Sequence, residues 1–185
     1  MSCIYTAKYL LPGDAPLIIG GAFLDVGGRI AEIGTLAGVT RGNETLPVVD
    51  FGDAILLPPL VNAHTHLELT DYPRWAGRYG EAPSASSFVD WILQVIRVKH
   101  ALPKENYLSS LTNGINLSMA AGTGAVGDII SHLPARKAYQ GSLLLGQLYL
   151  ETLGQTAAFI QQSLQSVEAV LNDDPVGSMH FGVSP

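Results

Sequence analysis

The sequence predicts an α/β fold in which a small all-β unit is followed by part of a (β/α)8 barrel. Up to about residue 53, short apolar runs are separated by Gly, Pro and Asn, a pattern typical of brief strands. Beyond it, short apolar runs alternate with longer amphipathic segments, which is typical of parallel βα units. A complete barrel takes roughly 250 residues. We therefore predict a β unit over residues 1–53 and the N-terminal half of a barrel over residues 54–185.

The first unit is predicted to consist of brief strands joined by tight turns. The apolar runs lie at residues 9–11, 17–19, 22–26, 29–33 and 47–49. Two glycine pairs, Gly20-Gly21 and Gly27-Gly28, have the spacing of hairpin turns, in which positive φ angles favour glycine. The pattern therefore indicates two hairpins in this unit.

The second unit is predicted to begin with a nearly continuous apolar strand over residues 55–60 that leads to two histidines, although it contains two prolines. Amphipathic periodicity then predicts helices over residues 87–100, 104–121, 134–140 and 156–171. Strands are predicted between them over residues 123–130, 142–151 and 180–184. Because these strands are apolar on both faces, we expect a parallel sheet that helices cover.

Composition and charge exclude several classes of protein. Hydrophobic residues make up 47% of the chain and charged residues only 14%, which suggests that the chain packs against more protein. The apolar runs are far shorter than the ~20 residues that cross a bilayer. The first residues do not resemble a signal peptide, so we expect a cytoplasmic location and no membrane partner. A net charge of −6 without a basic run makes nucleic acid an unexpected partner.

The strongest indication of chemistry is the pair His64 and His66. Strand alternation places both side chains on one face, together with Asn62, and close enough for both imidazoles to bind one ion. Imidazole is a common ligand of zinc, iron and nickel. The spacing alone is a weak signal, and two hydrogen-bonded core histidines are the alternative. Their position at the C-terminal end of a predicted strand, where barrels assemble active sites, favours a metal site.

The sequence around these histidines closely resembles the first barrel strand of amidohydrolases, in the cytosine deaminase and chlorohydrolase-like branch. Residues 50–69 read DFGDAILLPPLVNAHTHLEL. Residues 28–34, GRIAEIG, resemble a hairpin of the family's β-sandwich, and residues 180–185, HFGVSP, resemble its fourth barrel strand. The resemblance spans essentially the whole chain. One departure is Pro59, where the family usually has glycine.

The resemblance implies a fragment of a metal-dependent hydrolase acting on carbon–nitrogen bonds other than peptide bonds. The expected reaction is removal of an amino group from a purine, pyrimidine or nucleoside-like ring by a metal-activated water. The expected cofactor is one divalent ion, zinc or alternatively iron, bound by His64 and His66. The general base, the general acid and the remaining ligands would come from strands beyond Pro185. Within the branch, the histidine segment and residues 87–96 most resemble aminodeoxyfutalosine deaminases.

Other candidate functional residues follow the predicted strands. Alternation places Glu68 on the face of the histidines, and Glu151 ends an apolar strand, so both are candidates to bind a small-molecule substrate. A solvated glutamate and a structural hydrogen bond are the respective alternatives. Asp128 is expected to have a structural role. Trp75 and Tyr79, in a predicted long loop, are candidates for a lid over a ring-shaped substrate.

Two alternative functions remain open. The first keeps the fold and the metal but hydrolyses a cyclic amide, as imidazolonepropionase-like members of the superfamily do. The second is a non-catalytic, truncated chain with only a partial metal site. For a half barrel with unpaired strand edges, the expected protein partner is a second copy of the chain or the missing C-terminal part.

Overall fold

The computed structural model describes residues 1–80, 85–152, 156–173 and 175–184. It has a mixed α/β architecture with three sheets, and its contacts divide the chain into two compact units, Met1–Pro58 and Pro59–Pro185. Each unit has its own hydrophobic core. The change of structural character that the sequence predicts after residue 53 falls, in the structure, at the pair Pro58-Pro59.

The first unit contains two small sheets. Its elements are β1 Ser2–Thr6, β2 Tyr9–Leu10, β3 Ile18–Ile19, β4 Gly21–Val26, β5 Arg29–Thr35, α1 Leu36–Thr40, β6 Val48–Asp50 and β7 Ile55–Leu56. One sheet has the strand order β5-β4-β1-β6 and the other the order β3-β2-β7. The core of the unit consists of the buried residues Ile4, Ala22, Leu24 and Val39. The helix α1 was not predicted, and the hydroxyl of Thr35 accepts a hydrogen bond from the backbone N–H of Gly38 at its start.

Of the two predicted hairpins, the one at Gly27-Gly28 is confirmed. It joins the antiparallel strands β4 and β5, and the two glycines have φ angles of 63° and 82°. The predicted hairpin at Gly20-Gly21 is wrong, because the strands on its two sides do not pair with each other. β3 pairs with β2, whereas β4 pairs with β1 and β5. Gly21 instead allows two segments of the chain to pack closely. A Cβ atom on it would lie 2.4 Å from the Cβ of Leu10, so the close packing of the two chain segments requires glycine.

The predicted strand over residues 55–60 is also corrected. It is two strands that belong to different sheets: Ile55–Leu56 pairs with β2, and β8, which spans Leu60–Thr65, pairs with a strand of the second unit. Pro58 and Pro59 lie between them. Because proline has no N–H to donate to a strand ladder, two consecutive prolines end the pairing of one strand before the next begins.

The second unit alternates strands with helices. Beyond β8 it contains the 3-10 helix Leu67–Leu69, α2 Tyr72–Arg78, α3 Phe88–Ala101, α4 Glu105–Ala120, β9 Thr123–Ile130, the 3-10 helix Leu133–Tyr139, β10 Leu145–Glu151, α5 Ala157–Leu171 and β11 Ser178–Ser184. The four strands are parallel, and their order in the sheet, β8-β9-β10-β11, is their order along the chain. The predicted parallel βα units are therefore present, whereas the partial barrel stays a prediction.

Helix boundaries in this unit follow local chemistry. The hydroxyl of Ser87 accepts a hydrogen bond from the backbone N–H of Asp90 and starts α3. Gly122, with φ of 84°, follows the end of α4. The core lies between the helices and the sheet, and its fully buried residues include Leu111, Ile130, Tyr139, Leu148 and Leu150. None of the helices within the described residues is long and apolar enough to cross a membrane.

Candidate functional site

The two histidines of the candidate metal site lie where β8 ends. His64 is in the strand, and His66 directly follows its last residue, Thr65. The imidazole centroids are 5.4 Å apart, and the rings are inclined by 69°. Both side chains are exposed. The expectation that they share one strand therefore holds for His64, whereas His66 is the first residue beyond the strand.

The spacing of the imidazoles fits two ligands of one metal ion. Two imidazoles that bind one tetrahedral zinc ion through bonds of about 2.1 Å have ring centroids roughly 5 Å apart. Among the described residues there is no group of three or more His, Cys, Asp or Glu side chains that could hold a metal. The described residues therefore offer the imidazoles of His64 and His66 but no third ligand grouped with them. Metal binding by His64 and His66 stays a prediction.

A buried carboxylate, that of Asp128 in β9, holds the chain on both sides of His66. Its Oδ1 atom accepts hydrogen bonds from the Thr65 hydroxyl at 2.7 Å and from the Leu67 backbone N–H at 2.8 Å. Its Oδ2 atom accepts a hydrogen bond from the Tyr139 hydroxyl at 2.9 Å. Burial raises the pKa of Asp128, and the three hydrogen bonds to the carboxylate partly oppose this increase. Burial also raises the pKa of Tyr139.

A second buried carboxylate, that of Glu68, holds the chain segment that follows β9. Its two oxygen atoms accept hydrogen bonds from the Ser131 backbone N–H, the Ser131 hydroxyl and the His132 backbone N–H. The Lys99 ammonium lies 3.5 Å from Oε1. Because β8 ends at Thr65, strand alternation does not reach Glu68, which lies fully buried in a 3-10 helix. Its substrate-binding role stays a prediction, and both of its oxygens already have protein partners.

Glu151 lies at the end of β10 and is more accessible than Glu68. Its side chain is 18% exposed, and the Lys99 ammonium is 3.9 Å from Oε2. Lys99, in the last turn of α3, therefore lies between the carboxylate of Glu68, in the 3-10 helix after β8, and that of Glu151, at the end of β10. Glu151 also lines a cavity of about 580 Å³, together with Lys104, Ser131, His132, Arg136 and residues of α5. A substrate-binding role for Glu151 stays a prediction.

His132 follows β9 and is partly buried against α4. Its ring stacks on Tyr107 with 4.9 Å between the centroids. Burial lowers the pKa of His132, the Glu68 carboxylate raises it, and the Lys104 ammonium lowers it further. Burial and the Glu68 charge also raise the pKa of Tyr107 to about 12.

Of the two predicted lid residues, Trp75 lies in a helix and Tyr79 in the turn that follows it. Trp75 is in α2 and is only 3% exposed, with its ring edge-on to Tyr107 at 5.8 Å. The hydroxyl of Tyr79, the residue that follows α2, donates a hydrogen bond to the Ala101 carbonyl. The lid role predicted for Trp75 is therefore wrong, because its indole is part of the core.

Sequence reasoning missed the residues that support the site. Thr65, Ser131, Tyr139 and Lys99 were not singled out, although each contacts one of the two buried carboxylates. The available signal was Asp128 itself, an acidic residue within the apolar run of β9, since a charge in such a position requires buried partners.

Comparisons with known proteins show what this chain is similar to. No family model matches it. A curated adenosine deaminase of Helicobacter pylori is 30% identical over 141 residues, which are 76% of this chain and 32% of that protein. A 5-methylthioadenosine/S-adenosylhomocysteine deaminase of Moorella thermoacetica is 36% identical over 61 residues, which are 33% of this chain and 14% of that protein. The chain thus spans about a third or less of the length of these relatives.

Solved structures show the same fold. Aminofutalosine deaminase of Helicobacter pylori superposes with a TM-score of 0.72 at 21% identity, covering 99% of this chain and 42% of that one. A zinc complex of atrazine chlorohydrolase from Arthrobacter aurescens superposes with a TM-score of 0.71 at 15% identity, covering 98% of this chain and 46% of that one.

The relatives and the structural neighbours are enzymes of the amidohydrolase superfamily, and this chain matches their N-terminal part. The resemblance found in the sequence is thereby confirmed. Within the superfamily, the curated relatives are deaminases, which are hydrolases that act on carbon–nitrogen bonds.

Proposed function

We propose that the chain is the N-terminal part of a metal-dependent deaminase, and that His64 and His66 are two of the ligands of one divalent ion. Zinc is the first choice and iron the second, because imidazole suits both ions and a neighbouring amidohydrolase structure contains zinc. The observation that carries the proposal is the 5.4 Å spacing of the two imidazoles at the C-terminal end of β8.

The chemistry that this proposal assigns to the chain is binding and positioning. A divalent ion at such a site lowers the pKa of a water molecule and polarises the attacked carbon. His64 and His66 hold the ion, and the buried carboxylates of Asp128 and Glu68 keep the end of β8 in place against β9. In this proposal the residues that move the protons of the water belong to a part of the enzyme that this chain does not contain.

The proposed substrate is an amino-substituted purine carried by a nucleoside or a related compound. Support comes from the curated relatives, which are named for adenosine and for 5-methylthioadenosine/S-adenosylhomocysteine. Aminofutalosine deaminase of Helicobacter pylori has also been solved with methylthio-coformycin. Of the two candidate substrate carboxylates, Glu151 is the better one, because it is partly exposed and lines a cavity whereas Glu68 is fully buried.

We also propose a domain organisation for the chain. The first unit, Met1–Pro58, would form part of the β-sandwich that accompanies the barrel in this superfamily, and the second unit, Pro59–Pro185, would form the N-terminal half of the barrel, so the proposed boundary lies beyond the one predicted after residue 53. Support comes from the parallel strands β8 to β11 in chain order, each separated from the next by helical segments. The cyclic-amide reaction and the non-catalytic chain remain the alternatives to deamination.

The metal site is tested by zinc titration of the 185-residue chain in a calorimeter. We expect one zinc ion per chain, bound loosely because two imidazoles leave at least two positions to water. His64→Ala and His66→Ala should each weaken zinc binding at least about tenfold. His100→Ala is the matched control, since His100 is an exposed histidine at the end of α3. Zinc binding that survives replacement of both site histidines would contradict the proposed metal site.

The reaction is tested separately by mixing the zinc-loaded chain with adenosine, 5-methylthioadenosine or a cyclic amide and measuring ammonia release and ring opening. We expect slow deamination at most, because loss of a positioned general base commonly costs roughly 10² to 10⁴ in rate. Turnover of the cyclic amide in preference to the nucleosides would favour the alternative reaction.

A further inference from the structure

We propose that Asp128 is a positioning residue for the histidine pair, in that its buried carboxylate sets the direction in which the imidazole of His66 leaves the backbone. This inference rests on the proposed function, since it concerns the same metal site. It adds a residue that contacts neither the metal nor the substrate and that lies on a different strand from the two histidines.

The hydrogen bonds of Asp128 go to both sides of His66. Its Oδ1 atom accepts from the Thr65 hydroxyl and from the Leu67 backbone N–H. These two residues are the chain neighbours of His66, so the carboxylate holds the backbone immediately before and immediately after that histidine. Because both neighbours of His66 are held in place, the direction in which its imidazole leaves the backbone is restricted.

The regular strand pairing of β8 with β9 ends at Thr65 and does not reach His66. The pairing of β8 with β9 is irregular, and its register shifts between Asn62 and Thr65, the stretch that contains His64. His66 lies beyond the strand and has no place in the ladder. Beyond Thr65, which pairs with Asp128 and whose hydroxyl also donates to the Gly127 carbonyl at 3.4 Å, the hydrogen bond from the Leu67 backbone N–H to Asp128 continues the connection to β9 past His66.

The carboxylate of Asp128 is itself held in place by the core of the second unit. Asp128 is fully buried, and its Oδ2 atom accepts a hydrogen bond from the hydroxyl of Tyr139, which is fully buried as well. A buried carboxylate is costly unless hydrogen bonds stabilise it. Here they come from the residues that flank His66 and from the core residue Tyr139.

The test uses two substitutions of Asp128 on the 185-residue chain. Asp128→Ala removes every hydrogen bond of the carboxylate. Asp128→Asn keeps the shape: the amide oxygen can replace Oδ1 as acceptor for Thr65 and Leu67, and the amide nitrogen can donate to the Tyr139 oxygen. Met179→Ala is the control for lost stability, because Met179 is a buried residue of β11, which β10 separates from β9.

We expect Asp128→Ala to weaken zinc binding at least about tenfold, as loss of a group that orients a metal ligand typically does. Asp128→Asn should keep the wild-type affinity, and so should Met179→Ala at a temperature where both remain folded by circular dichroism. Pulsed electron paramagnetic resonance of the copper-loaded protein gives a second readout. The wild type should show two coordinating imidazoles, and Asp128→Ala should show one.

A folded Asp128→Ala variant with wild-type affinity and two imidazoles would overturn the inference, as would a loss of affinity in Met179→Ala equal to that in Asp128→Ala. If Asp128→Ala does not fold, Thr65→Val decides, since it removes one of the flanking hydrogen bonds with little change of shape and should weaken zinc binding about threefold. Wild-type affinity in that variant overturns the inference. Zinc binding that does not need His64 and His66 would instead refute the proposed function itself.

Discussion

At the residue scale, folding changes the protonation of His132. Its ring is partly buried and stacked on Tyr107, and it faces the Glu68 carboxylate and the Lys104 ammonium. Burial outweighs the favourable charge of Glu68, so the pKa of His132 in the folded chain is below its usual value of 6.5. The unfolded chain therefore binds this proton more tightly than the folded chain does.

The pH dependence of stability follows from this difference. A histidine whose pKa is lowered by folding contributes stability above its unfolded pKa, and this contribution is lost as the pH falls through 6.5 towards the folded pKa. His132→Phe keeps an aromatic ring against Tyr107 and the backbone N–H that donates to Glu68, but its side chain cannot titrate. We expect urea unfolding between about pH 5 and about pH 7.5 to show a steeper increase of stability with pH in the wild type than in the variant. Parallel pH curves would show that His132 does not contribute.

For individual residues, the sequence reveals the histidine pair of the site but not the residues that support it. The pair His64 and His66 is visible as a local pattern, because both residues lie in one short segment. The supporting network is not visible, since Asp128 and Ser131 contact residues more than 60 positions away in the chain. Glu68 shows the same limit: the sequence identifies the residue, but only the end of β8 at Thr65 decides that its carboxylate is buried.

At the element scale, the contact of β8 with β9 requires residues without side chains. A Cβ atom on Gly127 would lie 2.4 Å from the Ala63 carbonyl oxygen, and one on Gly124 would lie 2.5 Å from the Cβ of Pro59. The first of these contacts is with backbone, which cannot move aside as a flexible side chain can. The strand that carries His64 can therefore approach β9 only because β9 has glycine at these positions.

Gly127→Ala tests this close approach. The added methyl group must push the backbone of β8 away, and overpacking of this kind typically costs about 1–3 kcal/mol in the free energy of unfolding. Gly77→Ala is the matched control: Gly77 is in α2, has no positive φ and has no atom within 4 Å of an added Cβ, so stability should rise by up to about 1 kcal/mol. Both are measured by urea unfolding. Equal stability of Gly127→Ala and the wild type would contradict the close contact.

Elements were predictable from the sequence where one local pattern decided the structure. The helices α3, α4 and α5 and the strand β9 lie within one or two residues of their predicted ranges, because amphipathic periodicity and Gly122 mark them. Prediction failed where distant packing decided. The apolar residues of α3 recur at helical spacing, yet Phe88 and Trp91 are 73% and 41% exposed, whereas Val95 and Val98 are buried.

At the scale of the whole molecule, the parallel sheet of the second unit exposes large apolar side chains. Val61 of β8 is 72% exposed, and Leu145 of β10 is 55% exposed. Parallel sheets are almost always covered on both faces in folded proteins. Within the described residues, β8 and β11 are also the outer strands of this sheet. Exposed apolar surface together with outer strands favours association with more protein.

We therefore expect the purified chain to associate in a concentration-dependent manner, as measured by sedimentation velocity. Leu145→Lys should shift the distribution towards the monomer, because a charge on the exposed sheet opposes its burial against a partner. Leu117→Lys is the control, since Leu117 is 63% exposed but belongs to α4 rather than to the sheet. A chain that stays monomeric at all accessible concentrations would contradict the expectation, and equal effects of the two substitutions would place the contact outside the sheet.

The order of the strands has a consequence for the chain during its synthesis. Because β8, β9, β10 and β11 lie side by side in the order in which they are made, each strand finds its neighbour already present when it leaves the ribosome. Domains generally begin to fold from their N-terminal side during translation. The histidine segment is the first part of the second unit to be made, but its hydrogen bonds to Asp128 cannot form until Asp128 has emerged. A nascent chain that pauses before residue 128 would therefore hold both histidines on an unanchored segment.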